Sequence, residues 1–529
     1  MMNNERKIKD FSELTTRQQR RRVLSHLHLH HRSVHASQLS STDIVHSTQE
    51  TTQEPIPSTS KAVTIDEHSE IFDSTLSSST LSTADASIKS SDISVYHPVS
   101  SHKIVSNFES DLRALIIKHH VSHQFVNDLL PLLRDNGHNS LPRDVRTFMK
   151  TPVNTSSIVN SCAGGHYIHF GFEKMLHHSL VHYNYTSPVV SINFNIDGLP
   201  ISKSSNSQLW PIQGAICIKD TYTEPFIVGL FYGAKKPSDA NEYLKPFCDE
   251  AKGLLMNGIY VNNNHISIKI NAIICDAPAR AFIAGIKSHT GYFGCSKCTT
   301  EGTFTDNRVI FPQLNATLRS DVSFLQKIQE EHHKSDTILH HSLNIGMVTQ
   351  LPLDYMHLVC LGVVKRMLQF WINGKKDLRL GDTSKEILNK KYMSYRQLIP
   401  CEFSRMPRSV SEIDRWKATE LRFFLMYGGV IALKDILSEQ YYEHFLCLSV
   451  AIRILCNSEL IKQYLEYAEK LLLHFVKKYS GLYGERYMSY NVHNLIHVCN
   501  DVKIFGALDN YSAFKFENYM CEIKKNLKT

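Results

Sequence analysis

Apolar residues alternate with asparagines over residues 191–196 (Ser-Ile-Asn-Phe-Asn-Ile), which is the two-residue period of a strand with one buried face. A chain with such a strand must build a sheet around it and cover the apolar side. The strand ends in one carboxylate, Asp197, followed by Gly198, where the backbone turns freely. An Asp-Gly pair after a strand is commonly a plain turn, so a chemical role for Asp197 requires partners elsewhere in the chain.

A second carboxylate follows another strand of the same region. The pattern predicts strands over residues 213–218 and 225–232, and then a helix with Ser238 as its N-cap that stops at Gly258. A further alternating strand, 265–275, ends at Asp276 and leads into a helix over 279–286. Three strands, a helix, a strand and a helix indicate an α/β layer order. Asp197 and Asp276 are therefore expected at the ends of strands that can lie side by side.

Composition and length limit the classes that remain. The 529 residues are 42% hydrophobic and 21% charged, and no stretch of apolar residues is long enough to span a membrane. The first residues lack the apolar core of a secretory signal, so the twelve cysteines are interpreted as reduced thiols. A formal charge of +7 permits a polyanionic partner without requiring one.

The domain organisation is read from changes of pattern along the chain. Residues 1–104 are predicted to be a disordered tail rich in Ser, Thr and His, with a histidine cluster (His26, His28, His30, His31) that could bind metal but is more simply a solvated tail. A small helical module is predicted at 105–155, the first part of an α/β core at 186–300, a helical insertion at 301–487, and a last segment with an amphipathic helix at 488–529. Helices are expected over 322–333, 354–375, 416–437, 441–456 and 461–479.

Two pairs of residues have the spacing of zinc ligands. Cys295 and Cys298 form a Cys-x-x-Cys, and His493 and His497 lie four residues apart, which places them on one side of a helix. Each pair alone has a simpler reading, as reduced thiols or as ordinary helix residues. Together they can complete a Cys₂His₂ site, which would fix the end of the helical insertion to the α/β core.

These motifs, in this order, match a known family. Asp197-Gly, Cys275-Asp276-Ala-Pro-Ala-Arg, Cys295-x-x-Cys298, Asp354-x-x-His357, His493-x-x-x-His497 and Phe516-Glu517 resemble the DDE transposases of the CACTA (En/Spm) type, in the CACTA–Mirage–Chapaev group. More distantly, the order is similar to the catalytic core of the V(D)J recombinase and its Transib relatives. The resemblance covers about residues 107–529.

The resemblance implies a ribonuclease H-like core interrupted by a helical insertion. Asp197, Asp276 and Glu517 would hold two Mg²⁺ or Mn²⁺ ions, while the Cys and His pairs would hold structural Zn²⁺. Glu420, on another long helix, is a less favoured third acid. The role of Asp354 and His357 stays open between a signature of the site and a plain helix start. The implied activity is cleavage and strand transfer at the ends of transposon DNA in the nucleus, by a homodimer or larger assembly.

Two other interpretations remain at this stage. Only twelve residues follow Glu517, fewer than transposases of this type usually have, and no DNA-binding finger is evident near the N-terminus. The chain could therefore be a domesticated, catalytically inactive protein that still binds DNA or another protein. It could also be a zinc-stabilised helical interaction protein in which Asp197 and Asp276 are ordinary turn residues.

Overall fold

The computed structural model of the protein describes residues 108–119, 121–151, 158–201 and 206–526. The predicted tail, 1–104, with its histidine cluster, lies outside the described residues. The described chain is mixed α/β, with one curled mixed sheet and many helices, which confirms the predicted class. Within it, no helix is both long and apolar enough to cross a bilayer.

The first helices lie within residues 105–155, where a small helical module is predicted. They are α1 (Phe108–Lys118), α2 (His123–Asp135) and α3 (Val145–Phe148). Ser122 and Asp144 cap the second and third of these, each by accepting a hydrogen bond from a backbone N–H of the first turn. The module has a small apolar core of its own, made by Ile116, Val126, Leu130, Leu141, Val145 and Phe148.

The main sheet has eight strands in the spatial order β1-β2-β6-β5-β3-β8-β7, with a short β4 paired to β5. They are β1 (Val159–Cys162), β2 (Gly165–His169), β3 (Val189–Ile196), β4 (Leu199–Pro200), β5 (Gln208–Ile216), β6 (Phe226–Gly233), β7 (Ile259–Val261) and β8 (Asn264–Ile274). β3 and β8 are parallel, with Asn195 opposite Ile274, whereas the other neighbouring strands are antiparallel. Because β3 and β8 run in one direction, Asp197 and Asp276 leave the sheet at the same edge.

A later segment extends this pairing. The Ile273 N–H donates to the Gln350 carbonyl at 2.9 Å, and Leu353 forms a parallel bridge with Cys275. This segment therefore lies beside the end of β8, and it places Asp354 at the same edge of the sheet as Asp197 and Asp276.

The two faces of the sheet are covered differently. Ile192, Phe194 and Ile196 point into an apolar core made with α4 (Phe172–His182), α5 (Ala240–Asn257) and α6 (Ala277–Ile283). The alternate residues of β3 are buried asparagines: the Asn193 amide donates to the Asn510 carbonyl at 2.8 Å, and that of Asn195 donates to the Ile274 carbonyl at 2.9 Å. The polar side of the strand is thus buried against the C-terminal part of the chain.

A large helical block follows the sheet, after a hairpin of β9 (Thr303–Thr305) and β10 (Arg308–Ile310). Its helices are α7 (Asp321–Leu325), α8 (Ile338–Leu343), a π-helix (Met356–Val364), α9 (Lys365–Asn373), α10 (Asp382–Ser394), α11 (Ala418–Phe423), a second π-helix (Phe424–Gly428), α12 (Gly429–Ala432), α13 (Glu439–Leu455), α14 (Ser458–Tyr483), α15 (Tyr490–Asn494), α16 (Val498–Phe505) and α17 (Phe514–Asn526). Short 3₁₀ turns lie at Glu330–His332, Tyr395–Gln397, Val410–Arg415, Glu485–Tyr487, Leu495–His497 and Leu508–Tyr511. From the first π-helix onward these helices share one apolar core that reaches the sheet at Ala215, Ala272 and Ile274, whereas α7 and α8 pack into the core on the other face of the sheet.

Several predicted boundaries are wrong. α5 is capped by Asp239 rather than Ser238, because the Asp239 carboxylate accepts the Glu242 N–H at 2.8 Å. The single helix predicted over 416–437 is divided by the π-helix Phe424–Gly428, and the one over 322–333 is reduced to α7 and a 3₁₀ turn. His497 lies in a 3₁₀ turn after α15 rather than in the same α-helix as His493. The predicted sheet also lacked β1 and β2, which enlarge it beside β6.

Candidate functional site

Three side chains from distant parts of the chain meet at the sheet edge. Asp197 follows β3, His357 lies in the first turn of the π-helix, and Glu517 lies in the first turn of α17. One ligand atom from each lies within 4.8 Å of the others, as in a metal site. Of the three predicted acids, the structure thus brings Asp197 and Glu517 together directly, with His357 as their neighbour.

Asp197 is the most buried member, with 9% of its surface exposed. One of its oxygens accepts the Gly198 N–H at 2.7 Å. Burial, together with the nearby Asp276 and Glu517 carboxylates, raises the pKa of Asp197 well above its usual value. His357 opposes this shift, because a carboxylate held among other carboxylates is stabilised as an anion by a neighbouring positive charge or a bound cation.

Glu517 faces Asp197 from the helical block, with about a third of its side chain exposed (34%). Burial and the nearby Asp354 and Asp276 raise its pKa, and a hydrogen bond with Asp197 opposes that shift. The charge of Glu517 in turn raises the pKa of Asp197, so the negative charges of the two carboxylates oppose one another.

Asp276 lies at the same sheet edge but outside the group of three. It is the N-cap of α6, where one carboxylate oxygen accepts the Ala279 N–H at 2.7 Å. Its charge acts on Asp197, His357 and Glu517, so it belongs to the same acidic surroundings. Its other oxygen makes no hydrogen bond to a described residue and is available to a cation.

Asp354 orients His357. One Asp354 oxygen accepts both the backbone N–H of His357 at 2.9 Å and its Nδ1–H at 2.6 Å. The other accepts the Ala513 N–H at 2.8 Å, directly before the helix that carries Glu517. A buried carboxylate thus ties the histidine helix to the glutamate helix, and Nε2 of His357 lies 3.8 Å from Glu517.

The charge of His357 follows from these contacts. Burial would lower its pKa, but the hydrogen bond and charge of Asp354, with Asp197 and Asp276 nearby, raise it to about 9. The same contacts lower the pKa of Asp354 although burial opposes this. At neutral pH the site therefore combines one imidazolium with several carboxyl groups.

Glu420, the less favoured third acid, lies elsewhere in a buried ion pair. Its two carboxylate oxygens accept hydrogen bonds from Arg408 at 2.7 and 2.6 Å. One of them also accepts the Lys417 N–H at 2.8 Å, at the start of α11. These bonds lower its pKa against the effect of burial, and they leave Glu420 a structural role at a helix start.

The four predicted zinc ligands form a second, separate cluster. Cys295, Cys298, His493 and His497 are all buried, and one atom from each lies within 4.8 Å of the others. The distances are 3.6 Å between the sulfurs, 3.3 Å from Cys298 Sγ to His493 Nε2, and 3.4 Å between the Nε2 atoms. A tetrahedral zinc, with Zn–S about 2.3 Å and Zn–N about 2.05 Å, requires edges of about 3.8, 3.6 and 3.4 Å respectively. The donor set therefore fits zinc in both chemistry and size.

The thiols of this cluster are unequal. Hydrogen bonds from Cys298 and the two histidines hold the pKa of Cys295 well below its usual value, although burial opposes this. Its hydrogen bond to Cys295 and its burial raise the pKa of Cys298. The arrangement favours one thiolate even before a cation binds, and thiolate is the form that binds zinc.

Buried polar links connect this cluster to the acidic residues. Lys297, inside the Cys-x-x-Cys loop, donates to Asp501 at 2.6 Å and to the Val348 carbonyl at 2.9 Å. The other Asp501 oxygen accepts the Leu353 N–H at 2.7 Å, next to Asp354. The Arg280 guanidinium bridges the Cys275 and Pro352 carbonyls and the Tyr490 hydroxyl. The zinc-type cluster and the three acids are thus held in one polar framework.

We expect Asp501→Ala to lower the free energy of unfolding by about 3–5 kcal/mol, because it leaves the Lys297 ammonium buried without a counter-charge. Urea unfolding followed by circular dichroism measures this. Glu459→Ala breaks the exposed pair with Lys462 and serves as control, with no measurable change in stability expected. Equal effects of the two substitutions would contradict a structural role for the buried pair.

Sequence reasoning missed Arg280, Lys297 and Asp501 and left His357 open. The Asp-x-x-His spacing was the available signal for His357, since an N-cap carboxylate reaches the third residue after it. No local pattern marks Lys297 or Asp501. A comparison of the sequence with protein-family models gives no match, and neither does a comparison with curated proteins.

Proposed function

We propose that the protein is a DDE-type transposase of the CACTA group, which cleaves DNA at transposon ends and joins it to a target through metal-dependent phosphodiester chemistry. The observation that carries this proposal is the meeting of Asp197 and Glu517, with Asp276 at the same edge, from three distant chain segments. Buried like charges are destabilising, so a fold that gathers them needs a cation to balance them.

The sheet supports a ribonuclease H-like core, the finer fold that the motif order implies. Three antiparallel strands, β6, β5 and β3, are followed across the sheet by the parallel β8, and the helical block enters before the last acid. The first two acids then sit at the ends of neighbouring parallel strands, and the third arrives on a helix packed against the polar side of β3.

In this proposal Asp197, Asp276 and Glu517 hold Mg²⁺ or Mn²⁺, and their oxygens are the ligands that these ions prefer. Bound ions supply activation of a water or 3′-hydroxyl and stabilisation of the leaving oxygen. Asp354 holds the His357 ring by its Nδ1–H, and the imidazolium keeps the acidic cluster compact before the ions bind. Zinc bound by Cys295, Cys298, His493 and His497 is structural.

The proposed partner is double-stranded DNA in the nucleus. Because transposition must bring two DNA ends together, we propose that a homodimer or larger assembly holds them. A transposon-derived protein that binds DNA without cutting it is the competing function, and the experiment below separates the two.

The test is nicking of supercoiled plasmid carrying candidate terminal repeats, with and without Mg²⁺ or Mn²⁺. We expect metal-dependent nicking by the wild type and a loss of at least about 100-fold in rate for Asp276→Ala and Glu517→Ala, as expected when a metal ligand worth several kcal/mol is removed. Asp249→Ala, an exposed carboxylate on α5, is the matched control and should nick normally. Plasmid binding without any nicking would reject the nuclease and favour the binding protein.

A further inference from the structure

A small basic groove lies one helical turn beyond His357. It has a volume of about 200 Å³ and is lined by residues of β10, the π-helix, α9, α15 and the segment before α15. Arg308, Lys365, Arg366, Gln369, Tyr487 and Asn491 provide its polar surface. None of the described residues that line it carries a carboxylate.

Three cations of the groove have no counter-charge. Among the described residues, Arg308, Lys365 and Arg366 form no ion pair, although Lys365 donates to the Asp414 carbonyl at 2.9 Å. Two acids lie near these cations, and only the first of them is neutralised by an ion pair. Asp306 pairs with Arg486 at 3.1 Å, and the Asp414 carboxylate accepts from Gln369 at 2.8 Å. The groove therefore carries a local excess of positive charge, which favours an anion.

Aromatic packing holds one of these cations in place. The Arg308 guanidinium lies over the Tyr487 ring, 5.5 Å from its centroid, and Arg486 lies 5.3 Å from the same centroid. The ring itself packs against Phe370 at 4.6 Å. Tyr487 thus positions the Arg308 fork at the mouth of the groove, where its N–H groups are free to bind oxygens.

The groove and the acidic cluster share a helix. Leu361 lines the groove and follows His357 by four residues. Because the hydrogen bonds of a π-helix run from i to i+5, one turn takes between four and five residues, and Leu361 therefore faces about the same side as His357. Lys365 is eight residues from His357, at most about 12 Å along the axis at about 1.5 Å per residue. That distance corresponds to between three and four base-pair steps of about 3.4 Å.

We propose that this basic groove binds the DNA phosphate backbone within about four nucleotides of the phosphodiester held at the acidic cluster. The inference rests on the proposed function and specifies the DNA-binding surface of the same site. Arg308 and Arg366 contact phosphate oxygens, Lys365 adds charge, and Tyr487 is a positioning residue for Arg308. Such contacts carry no sequence information and set the register of the duplex against the acids.

The test measures DNA binding without Mg²⁺ or Mn²⁺, so that cleavage does not interfere. Fluorescence anisotropy of a labelled duplex is recorded for the full chain over a range of salt concentrations. For Arg308→Gln/Arg366→Gln we expect affinity to fall by about 10–100-fold at low salt, and the slope of log K against log salt to fall by about 1.8, at about 0.9 per phosphate. Tyr487→Phe should bind like wild type, and Tyr487→Leu should weaken binding about two- to fivefold.

Arg379→Gln/Arg396→Gln is the matched control, because both arginines are exposed and the charge change is the same. Affinity and slope that fall equally in both double variants would overturn the groove, as would an unchanged Arg308→Gln/Arg366→Gln protein. Pyrophosphate can also be added as a competitor at constant ionic strength. If it displaces the duplex from the wild type but not from the groove variant, the groove binds a small phosphate ligand and the proposed DNA contact is overturned. Loss of binding in the groove variant, with no nicking by wild type, would support the groove and reject only the nuclease.

Discussion

We expect a Cys298→Ser protein to lose the zinc proposed for this cluster and to unfold far more easily than the wild type. Four buried donors converge with the edges of a zinc tetrahedron, and they join the loop after α6 to the segment between α14 and α16. Structural zinc sites contribute about 10–16 kcal/mol in isolated finger peptides, so we expect a loss of more than about 4 kcal/mol here.

Zinc content by plasma mass spectrometry and unfolding by urea together measure this effect. Cys401→Ser is the control, since Cys401 is an exposed free thiol, and it should keep both the zinc and the stability. A strong zinc chelator should lower the stability of the wild type toward that of Cys298→Ser. Wild type purified without zinc, or Cys298→Ser as stable as Cys401→Ser, would show that the cluster is only a packed core.

We expect an Asp197→Asn protein to lose the proposed nicking activity and yet to be more stable than the wild type when no Mg²⁺ or Mn²⁺ is present. Asparagine keeps the shape of Asp197 and removes a charge that burial and two neighbouring carboxylates disfavour. We expect at least about 1000-fold slower nicking, since a central metal ligand is lost. The metal-free protein should gain about 1–3 kcal/mol, the usual scale for removing a buried charge without a full partner.

The pKa shifts of Asp197 and His357 determine how the stability of the protein changes with pH. The pKa of Asp197 is raised in the folded state. Its carboxyl group therefore stabilises the folded state fully at a pH below its unfolded-state pKa near 3.8, and this stabilisation is lost as the pH rises through its folded-state pKa. His357 acts in a higher window: its stabilisation is full below 6.5 and is lost as pH rises toward about 9. In Asp197→Asn the free energy of unfolding should therefore decrease less steeply as the pH rises through the acidic end of this range.

Urea midpoints from about pH 4 to pH 9, with zinc present and Mg²⁺ absent, measure the effect. Saturating Mn²⁺, at about 100 times its dissociation constant, should then stabilise wild type by about 2.7 kcal/mol and leave Asp197→Asn unchanged. Asp220→Asn is the control, because Asp220 is an exposed carboxylate in the turn after β5, near the start of β3 rather than near its end at Asp197. An Asp197→Asn protein that still nicks, or that responds to Mn²⁺ like the wild type, would remove Asp197 from the metal site.

Much of the sheet could be predicted because its signals are local. The alternation of Ile and Asn in β3, the strand before Asp276 and the stop at Gly258 each depend on neighbours within a few residues. Gly258 has a φ of +67°, a backbone conformation that glycine adopts at little cost, so the predicted end of α5 agrees with the structure. The Cys-x-x-Cys and His-x-x-x-His spacings likewise reflect local geometry.

Other features depended on contacts that no local pattern contains. Ser238 and Asp239 are both good caps, and only the chain path into α5 selected Asp239. Glu420 and Glu517 both lie on helices with similar sequence signals. In the folded protein, however, Arg408 pairs with Glu420, whereas Asp197 lies next to Glu517. The choice between them was made by packing.

The sequence by itself determined the periodicity of the strands, the positions of the carboxylates at their ends, and the spacing of the zinc-type pairs. Only the tertiary structure decided that His357 joins the acids, that Lys297 pairs with Asp501, and that Arg308 and Arg366 share one groove. The physical reason is range. Hydrogen bonds and side-chain alternation within a few residues fix local elements, whereas charges far apart in the chain meet only when burial of the apolar faces sets the path between them.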